Sequence, residues 1–429
     1  MNTYLVSIEL LGEQIPVGAL EQKNDFEAVF SYSESYLNRP GIRPISISLP
    51  LQKEPFSPEE TRRYFDGLLP EGFTRRSVAQ WLQASEDDYL SILHGLGREC
   101  LGAVRISVPN EAPEASYMKL DMDAVRRLAG EGATRSAEIV VESHLSLTGA
   151  SGKVGLYYDR DTEDWYLPLG TAPSTHIVKQ SHVRLNGIVI NEQLSLLTAR
   201  KCGLDTAGGF IINIGKGSDA EILLASERYD RSFSGSSRLN GMRVPLRLHQ
   251  EDFAQALGIS SSEKYEKSGQ NHMVRMFALL RQKSATPIED QLKLWDTIVF
   301  HYLIGNTDGH VKNFSLLYSS DMRKIRLSPA YDIVSTAVYP SCTRSMAFSI
   351  GGCRTLDDIT RDSFRAAAHE VGLGERMAMA HFDRLCESFP QALNDSAEEL
   401  TASGLPGCNL LRDQILLRGG YHNLMHLPA

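Results

Sequence analysis

The stretch from Phe300 to Val334, FHYLIGNTDGHVKNFSLLYSSDMRKIRLSPAYDIV, constrains this chain more than any other. An apolar run (Phe300, Tyr302, Leu303, Ile304) delivers a polar knot, Asn306 to Asn313, that a hydrophobic core does not tolerate without a purpose. A β-rich run from Phe314 to Tyr318, a polar turn at Ser319 to Arg323 and a second run from Lys324 to Leu327 read as a hairpin. Just beyond it, Tyr331-Asp332-Ile333 places a second carboxylate where the returning strand ends.

Loop, hairpin and carboxylate follow one another in the order phosphoryl transfer requires. That chemistry needs a carboxylate to accept the proton of the attacking hydroxyl, and an Asn and a second Asp to hold magnesium on the phosphates. Asp308 precedes Asn313 by five positions, the spacing of the base and the metal-binding Asn in kinase catalytic loops. Asp308, Asn313 and Asp332 fit the three roles. The competing reading is that Asp-Gly and Asn here are ordinary turn formers, so the rest of the chain has to decide.

At 429 residues the chain can bury a large core in two or three lobes, and 42% hydrophobic with 23% charged residues is an ordinary globular composition. Lys and Arg number 44 against 53 Asp and Glu, a net charge of −9 that argues against this chain alone gripping a phosphate backbone. Six scattered cysteines, with no Cys-x-x-Cys, read as reduced thiols, and His176 and His182 lack the cysteine pair that would complete a zinc site. The first residues have no basic, apolar leader and no run of about 18 apolar residues occurs, so a soluble, cytoplasmic protein without membrane contact is expected.

Before the central stretch, Tyr4 to Leu11 and Ile15 to Leu20 suggest an opening hairpin, with further strand candidates at Ala28 to Tyr32 and Ile45 to Leu51. Helical patterns cover Ser57 to Ala84, broken at Pro70 and Gly72, and Asp87 to Leu96. Pro109 to Ser116 reads as a connection. Gly149, Gly152 and Gly155 in HLSLTGASGKVGLYY form a candidate phosphate-covering loop between strands. The β-branched run Ser174 to Lys179 ends in a lysine placed to pair with phosphates. A helix follows, with Asn191 as N-cap, Gly203 past its end and Glu192 as the lysine's ion-pair candidate. Runs at Gly209 to Ile214 and Glu221 to Ala225 lead into Glu227-Arg228-Tyr229, the position of a hinge whose backbone would meet an adenine edge. Ser232 to Val244 reads as a mobile surface loop. Gln250 to Leu257, Met273 to Gln282, Pro287 to Ile304, Thr360 to Val371, Ala378 to Phe389 and Leu393 to Ala402 read as helices, with Ser349 to Cys353 a loop.

The ordered segments SLTGASGK, PSTHIVK, ERYDR, RLHQEDFAQALGISSSEKYE, LIGNTDGHVKNFSLLY and LSPAYDIVS resemble the HipA family of bacterial toxin serine/threonine kinases, and RPISISLPLQ and YFDGLLPEG resemble its accessory lobe. The resemblance implies an α+β, two-lobed protein-kinase-like fold. It places a β-rich accessory subdomain at 1–110, an ATP-binding core at 118–230 and a mainly α-helical lobe at 231–429. It implies Asp308 as catalytic base, Asn313 and Asp332 as Mg2+ ligands, and Lys179 on the ATP phosphates. Further nucleotide contacts are implied from Thr148, Gly149, Ala150, Ser151, Gly152 and Lys153, from Glu227, Arg228 and Tyr229, and from His310, Val311 and Lys312. Ser146 matches the family's autophosphorylated serine, whose phosphate would sit where ATP phosphates must come close. The family loop often reads Ala-Gln-Glu-Lys; here it is Ala150-Ser151-Gly152-Lys153, which leaves Ser146 and Ser151 both open as the modified residue. The implied partners are a HipB-like helix-turn-helix antitoxin, DNA through that antitoxin, and a protein substrate such as an aminoacyl-tRNA synthetase. Two other readings stand beside the toxin kinase: a small-molecule or lipid-type kinase, and a non-catalytic co-repressor bound to a DNA-binding partner.

Overall fold

Alternation of apolar and polar residues sets the first sheet. In β1 (Thr3–Leu10), Tyr4, Val6 and Ile8 are buried while their neighbours face outward. The strand pairs antiparallel with β2 (Glu13–Asn24), which pairs in turn with β3 (Glu27–Tyr32), and β4 (Val104–Ser107) closes the other edge in the order β3-β2-β1-β4. The computed structural model describes residues 2–24, 26–97, 99–109, 114–121, 124–125, 153–181, 185–213, 215 and 221–426.

A second, six-stranded sheet carries β5 (Ser116–Leu120), β6 (Lys153–Asp159), β7 (Asp164–Leu169), β8 (His176–Gln180), β9 (Gly209–Asn213) and β10 (Ile222–Glu227) in the order β5-β7-β6-β8-β10-β9. Val154, Leu156, Trp165, Leu167, Val178, Leu223 and Ala225 form its core, one face of aliphatic residues around Trp165 stacked across neighbouring strands.

Contacts divide the chain into two compact units. One takes Met1–Asn186, Gly208–Ser261 and Leu316–Ile325 and holds both sheets; the other takes Gly187–Ala207, Ser262–Ser315 and Arg326–Ala429 and is mainly helical. In the helical unit the long helix Glu375–Ala402 packs against Ile188–Lys201, Pro287–Ile304, Arg361–Glu370 and Cys408–Arg418. The fold is therefore α+β, as expected. Among the described residues no helix is long and apolar enough to cross a membrane, and all six cysteines are free thiols.

Several local expectations are corrected. The Ile45 to Leu51 segment is a tight loop with a single Ser46↔Leu49 bridge, because Glu251 takes its polar groups: Ser46 Oγ donates at 2.5 Å and the Ile47 N–H at 3.1 Å. Ser232 to Val244 contains a two-residue hairpin, Arg238–Leu239 against Met242–Arg243, turned by Asn240 (φ 51°) and Gly241 (φ 84°). Gln250–Asp252 is a strand, and the helix begins only at Phe253 behind an Asp252 capping box. Ser349 to Cys353 belongs to a hairpin, Ser345–Ile350 with Cys353–Thr355, turning at Gly351 and Gly352. Ala378 to Phe389 and Leu393 to Ala402 are one 28-residue helix that runs through Pro390. Asn191 is not an N-cap. The helix starts at Ile188 after Gly187 (φ 72°), and buried Asn191 instead accepts the Ser335 N–H at 2.9 Å and donates to the Ser335 carbonyl at 2.9 Å.

Candidate active site

The polar knot forms because the helix Pro287–Ile304 stops at Gly305, whose φ of 75° is a glycine conformation, and its carbonyls are capped by the Gly305 and Asn306 N–H groups. Thr307 then anchors the loop: its N–H donates to Thr336 Oγ1 at 2.7 Å, and its hydroxyl donates to the Thr343 carbonyl at 2.9 Å. Asn306 Oδ1 accepts the Asp308 N–H at 3.1 Å, and the Asp308 carbonyl accepts the His310 N–H at 2.8 Å. Gly309 is obligatory, since a Cβ there would lie 2.1 Å from His301 Nδ1. Burial lowers the His301 pKa to about 4, against the opposing charge of Asp332, so the ring packs neutral beneath the turn, stacked 5.4 Å from Phe314.

The result is a frame of buried residues with one exposed carboxylate. Asn306, Thr307, His310, Val311, Lys312 and Asn313 are all buried, whereas Asp308 is exposed. Val311–Asn313 make a 3-10 turn, and Tyr331 fastens it: its hydroxyl donates to the Lys312 carbonyl at 3.0 Å and shares a 2.6 Å hydrogen bond with Ser315 Oγ. That tether brings the next residue, Asp332, beside Asn313, with Asn313 Nδ2 3.5 Å from Asp332 Oδ2. Asp332 adopts φ 56°, a left-handed conformation that is uncommon outside glycine and that clusters at functional sites.

This donor set fits magnesium. Mg2+ takes hard oxygen ligands, keeps several waters and is commonly held by one or two protein groups together with substrate phosphates. Asp332 and Asn313 supply one carboxylate and one side-chain amide, and the pattern is met when that amide turns its oxygen to the metal; here its nitrogen faces Asp332 Oδ2. Among the described residues no cluster of three or more His, Cys, Asp or Glu offers an all-protein cage.

The β-rich unit holds the remaining candidates. Lys153 opens β6 and stands directly opposite Lys179 of β8 in the antiparallel register, so both point to one face, and both are buried. Ser146, Thr148, Gly149, Ala150, Ser151 and Gly152 lie outside the described residues, as does His182. Glu192 is buried on the helix Ile188–Lys201, which belongs to the helical unit, whereas Lys179 belongs to the other.

At the expected hinge, the Glu227 N–H donates to the Gly208 carbonyl at 2.8 Å and the Arg228 N–H to the Thr175 carbonyl at 2.9 Å. The Arg228 side chain is fully buried in an ion network. It reaches Glu99 Oε1 at 3.1 Å and Asp230 Oδ2 at 2.7 Å, while Arg231 and Arg247 reach Glu99 at 2.6 Å each. Burial alone would raise the Glu99 carboxyl, but Arg231, Arg247 and Arg228 hold it well below the usual range. Arg228 is thus a framework residue in its side chain, and the hydroxyl of Tyr229, the third residue of the expected hinge, donates to Gln250 Oε1.

Sequence reasoning missed Tyr265. Its hydroxyl donates to Asp308 Oδ1, and its ring stands edge-on to His310 at 5.2 Å. Only the tertiary fold joins positions 43 residues apart.

Comparison with known proteins gives these arrangements a family. The HipA-like C-terminal domain matches residues 145–393 and the HipA N-terminal domain residues 9–107. A Sinorhizobium fredii protein named "Putative kinase Y4mE" is 34% identical over 385 residues, covering 88% of each chain. The Shewanella oneidensis serine/threonine-protein kinase toxin HipA is 27% identical over 364 residues, covering 82% of this chain and 80% of the relative. In structure, the chain is similar to HipA in the Shewanella oneidensis complex of HipA, HipB and operator DNA. The TM-score is 0.78 at 22% identity, covering 98% of this chain and 97% of that one.

Proposed function

The chain belongs to the HipA-like kinase toxin family, and from that premise we propose that it is an ATP- and Mg2+-dependent serine/threonine protein kinase neutralised by a HipB-like, DNA-binding antitoxin. The observation that carries this reading is the placement of Asn313 beside a left-handed Asp332 on the same framework that exposes Asp308.

Bound Mg-ATP would supply an electrophilic γ-phosphoryl group whose charge the metal screens. In this reading Asp308 accepts the proton of the substrate hydroxyl, and its exposure suits a macromolecular acceptor. Asn313 and Asp332 hold the metal. Lys153 and Lys179 hold phosphate oxygens, and the buried framework around His310, Val311 and Lys312 fixes the loop so that little reorganisation is needed. Tyr229 is the hinge position, since the Glu227 and Arg228 N–H groups donate within the fold. A net charge of −9 suits a basic antitoxin, through which DNA would be met indirectly. The substrate is a protein of the translation apparatus, such as an aminoacyl-tRNA synthetase, and Ser146, or Ser151, is the site of self-inhibition.

Dephosphorylated protein incubated with Mg-ATP and measured by intact-mass and peptide mass spectrometry tests this. One phosphate on Ser146 or Ser151, absent in Asp308→Asn, is the expected result. No phosphate on any residue, with no transfer to protein acceptors, would favour the small-molecule kinase or the co-repressor reading.

A further inference from the structure

An exposed carboxylate on a loop has two equivalent oxygens and a freely turning side chain, so a base needs something to fix which oxygen meets the incoming hydroxyl. At Asp308 the loop backbone is anchored by Asn306 and Thr307. The carboxylate itself is met by Tyr265, whose phenol donates to Oδ1. Tyr265 is 42% exposed, so its hydroxyl does not owe this contact to enclosure in a core.

Its backbone is nonetheless fixed. The next residue, Glu266, is buried and clamped: Oε1 accepts the Ser349 N–H at 3.0 Å and the Ser349 hydroxyl at 2.8 Å, and Oε2 accepts the His272 N–H at 2.6 Å. The Glu266 N–H donates to the Ala347 carbonyl at 2.9 Å, and Arg354 Nη1 donates to the Glu266 carbonyl at 2.7 Å. The Tyr265 ring is then bracketed by His310, edge-on at 5.2 Å, and by the Lys264 ammonium 5.4 Å from the ring centre. A surface tyrosine on a pinned backbone, aimed at the one exposed carboxylate of the polar knot, is built for that contact.

We propose that Tyr265 is a positioning residue for the base: its phenol holds the Asp308 carboxylate through Oδ1 and so fixes how that carboxylate meets the substrate hydroxyl. The proposal rests on the kinase reading of Asp308. The phenol keeps its proton and donates throughout. As a donor to the ionised carboxylate it also favours the charged, proton-accepting form at lower pH.

The test compares wild type, Tyr265→Phe and Asp308→Asn. Tyr265→Phe keeps the ring and removes only the hydroxyl. With [γ-32P]ATP and Mg2+, self-phosphorylation by Tyr265→Phe is expected to fall about 10-fold in kcat, with the KM for ATP unchanged within about twofold. The acidic limb of its pH profile should move up by roughly half a unit to one unit. An unchanged rate and profile, or a faster rate, would overturn the proposal; a faster rate would mark Tyr265 as a gate. Wild-type protein that transfers no phosphate would remove the kinase reading and the positioning role with it. A separate readout needs no activity. In protein labelled with 13Cζ-tyrosine, the Tyr265 resonance, assigned by its loss in Tyr265→Phe, should titrate at higher pH in wild type than in Asp308→Asn. Equal titration would show that the contact is not made in solution, and would overturn the proposal whatever the kinetics.

Discussion

The two charged clusters of this protein are built on opposite principles. In the β-rich unit, Glu99, Asp230 and Glu9 meet Arg228, Arg231 and Arg247 with side chains between 0% and 10% exposed. The charges balance, and Asp230 Oδ2 also takes the Gly102 N–H at 2.6 Å. In the helical unit, Asp308 is exposed and Asp332 sits in a left-handed conformation beside Asn313. A buried network of ion pairs holds strands together, whereas Asp308 keeps its carboxylate exposed on a framework of buried residues. Residue type does not separate the two, because Arg228 and Asp308 each fall in a charged segment where sequence alone suggests ligand contact. Burial does.

The largest effect that could break this contrast is at Glu99. Glu99→Ala leaves three guanidinium groups facing no carboxylate at that point, and about 3–5 kcal/mol of stability is expected to be lost in a chemical-denaturation experiment. A loss below about 1 kcal/mol would mean that the network is not the framework it resembles.

Asp332 probes the other cluster. Asp332→Asn keeps the tolerance for a left-handed backbone and should leave stability within about 0.5 kcal/mol of wild type, while phosphotransfer falls at least about 100-fold, roughly 3 kcal/mol. Asp332→Ala should lose the same turnover and also about 1 kcal/mol of stability, because φ 56° then carries a steric cost.

Glu251 sharpens the comparison, since it is buried and, among the described residues, paired with no cation. Burial pushes its carboxyl from the ordinary 4.5 to about 7, against hydrogen bonds from Ser46, Tyr318 and the Ile47 N–H. The folded protein therefore retains this proton at pH values where the unfolded chain has released it. Its contribution to stability is full below about pH 4.5 and lost as pH rises through 7, a change of roughly 3 kcal/mol. Buried His176, His249 and His301, each lowered to about 4 chiefly by burial, act in the opposite sense between about pH 4 and 6.5. The stability difference between wild type and Glu251→Gln across pH 5 to 8 isolates the glutamate, and it should move against wild type as pH rises.

The smallest effect is expected at Thr307. Thr307→Val removes its hydroxyl bonds to Thr336 and Thr343, costing about 1–2 kcal/mol in stability and loosening the loop that carries Asp308. Phosphotransfer should fall more than the melting temperature alone explains.

Much of this was legible in the sequence because it is local. The Pro287–Ile304 helix, the glycine that ends it, the 315–327 hairpin and the carboxylate after it are all set by residues within a few turns of one another. The same holds for the β1–β2 hairpin. What escaped was set at a distance. Ile45 to Leu51 has the composition of a strand, but Glu251, some 200 residues on, takes the hydrogen bonds a strand would need. Asn191 has the chemistry of an N-cap, but Ser335 claims it. Arg228 sits in a hinge-like segment, yet Glu99 and Asp230 enclose it. Tyr265 falls in the RLHQEDFAQALGISSSEKYE segment, but nothing local marks it as a partner of Asp308. Side chains whose roles depend on a partner far along the chain are those that composition and spacing cannot assign.

The most direct test of the contrast is a paired measurement on Asp308→Asn: melting temperature and Mg-ATP phosphotransfer in the same preparation. The account expects phosphotransfer to fall by about 1,000-fold with stability within about 0.5 kcal/mol of wild type, as befits an exposed general base. A variant that melts several degrees lower while still transferring phosphate would contradict it, and would place Asp308 with the framework charges instead.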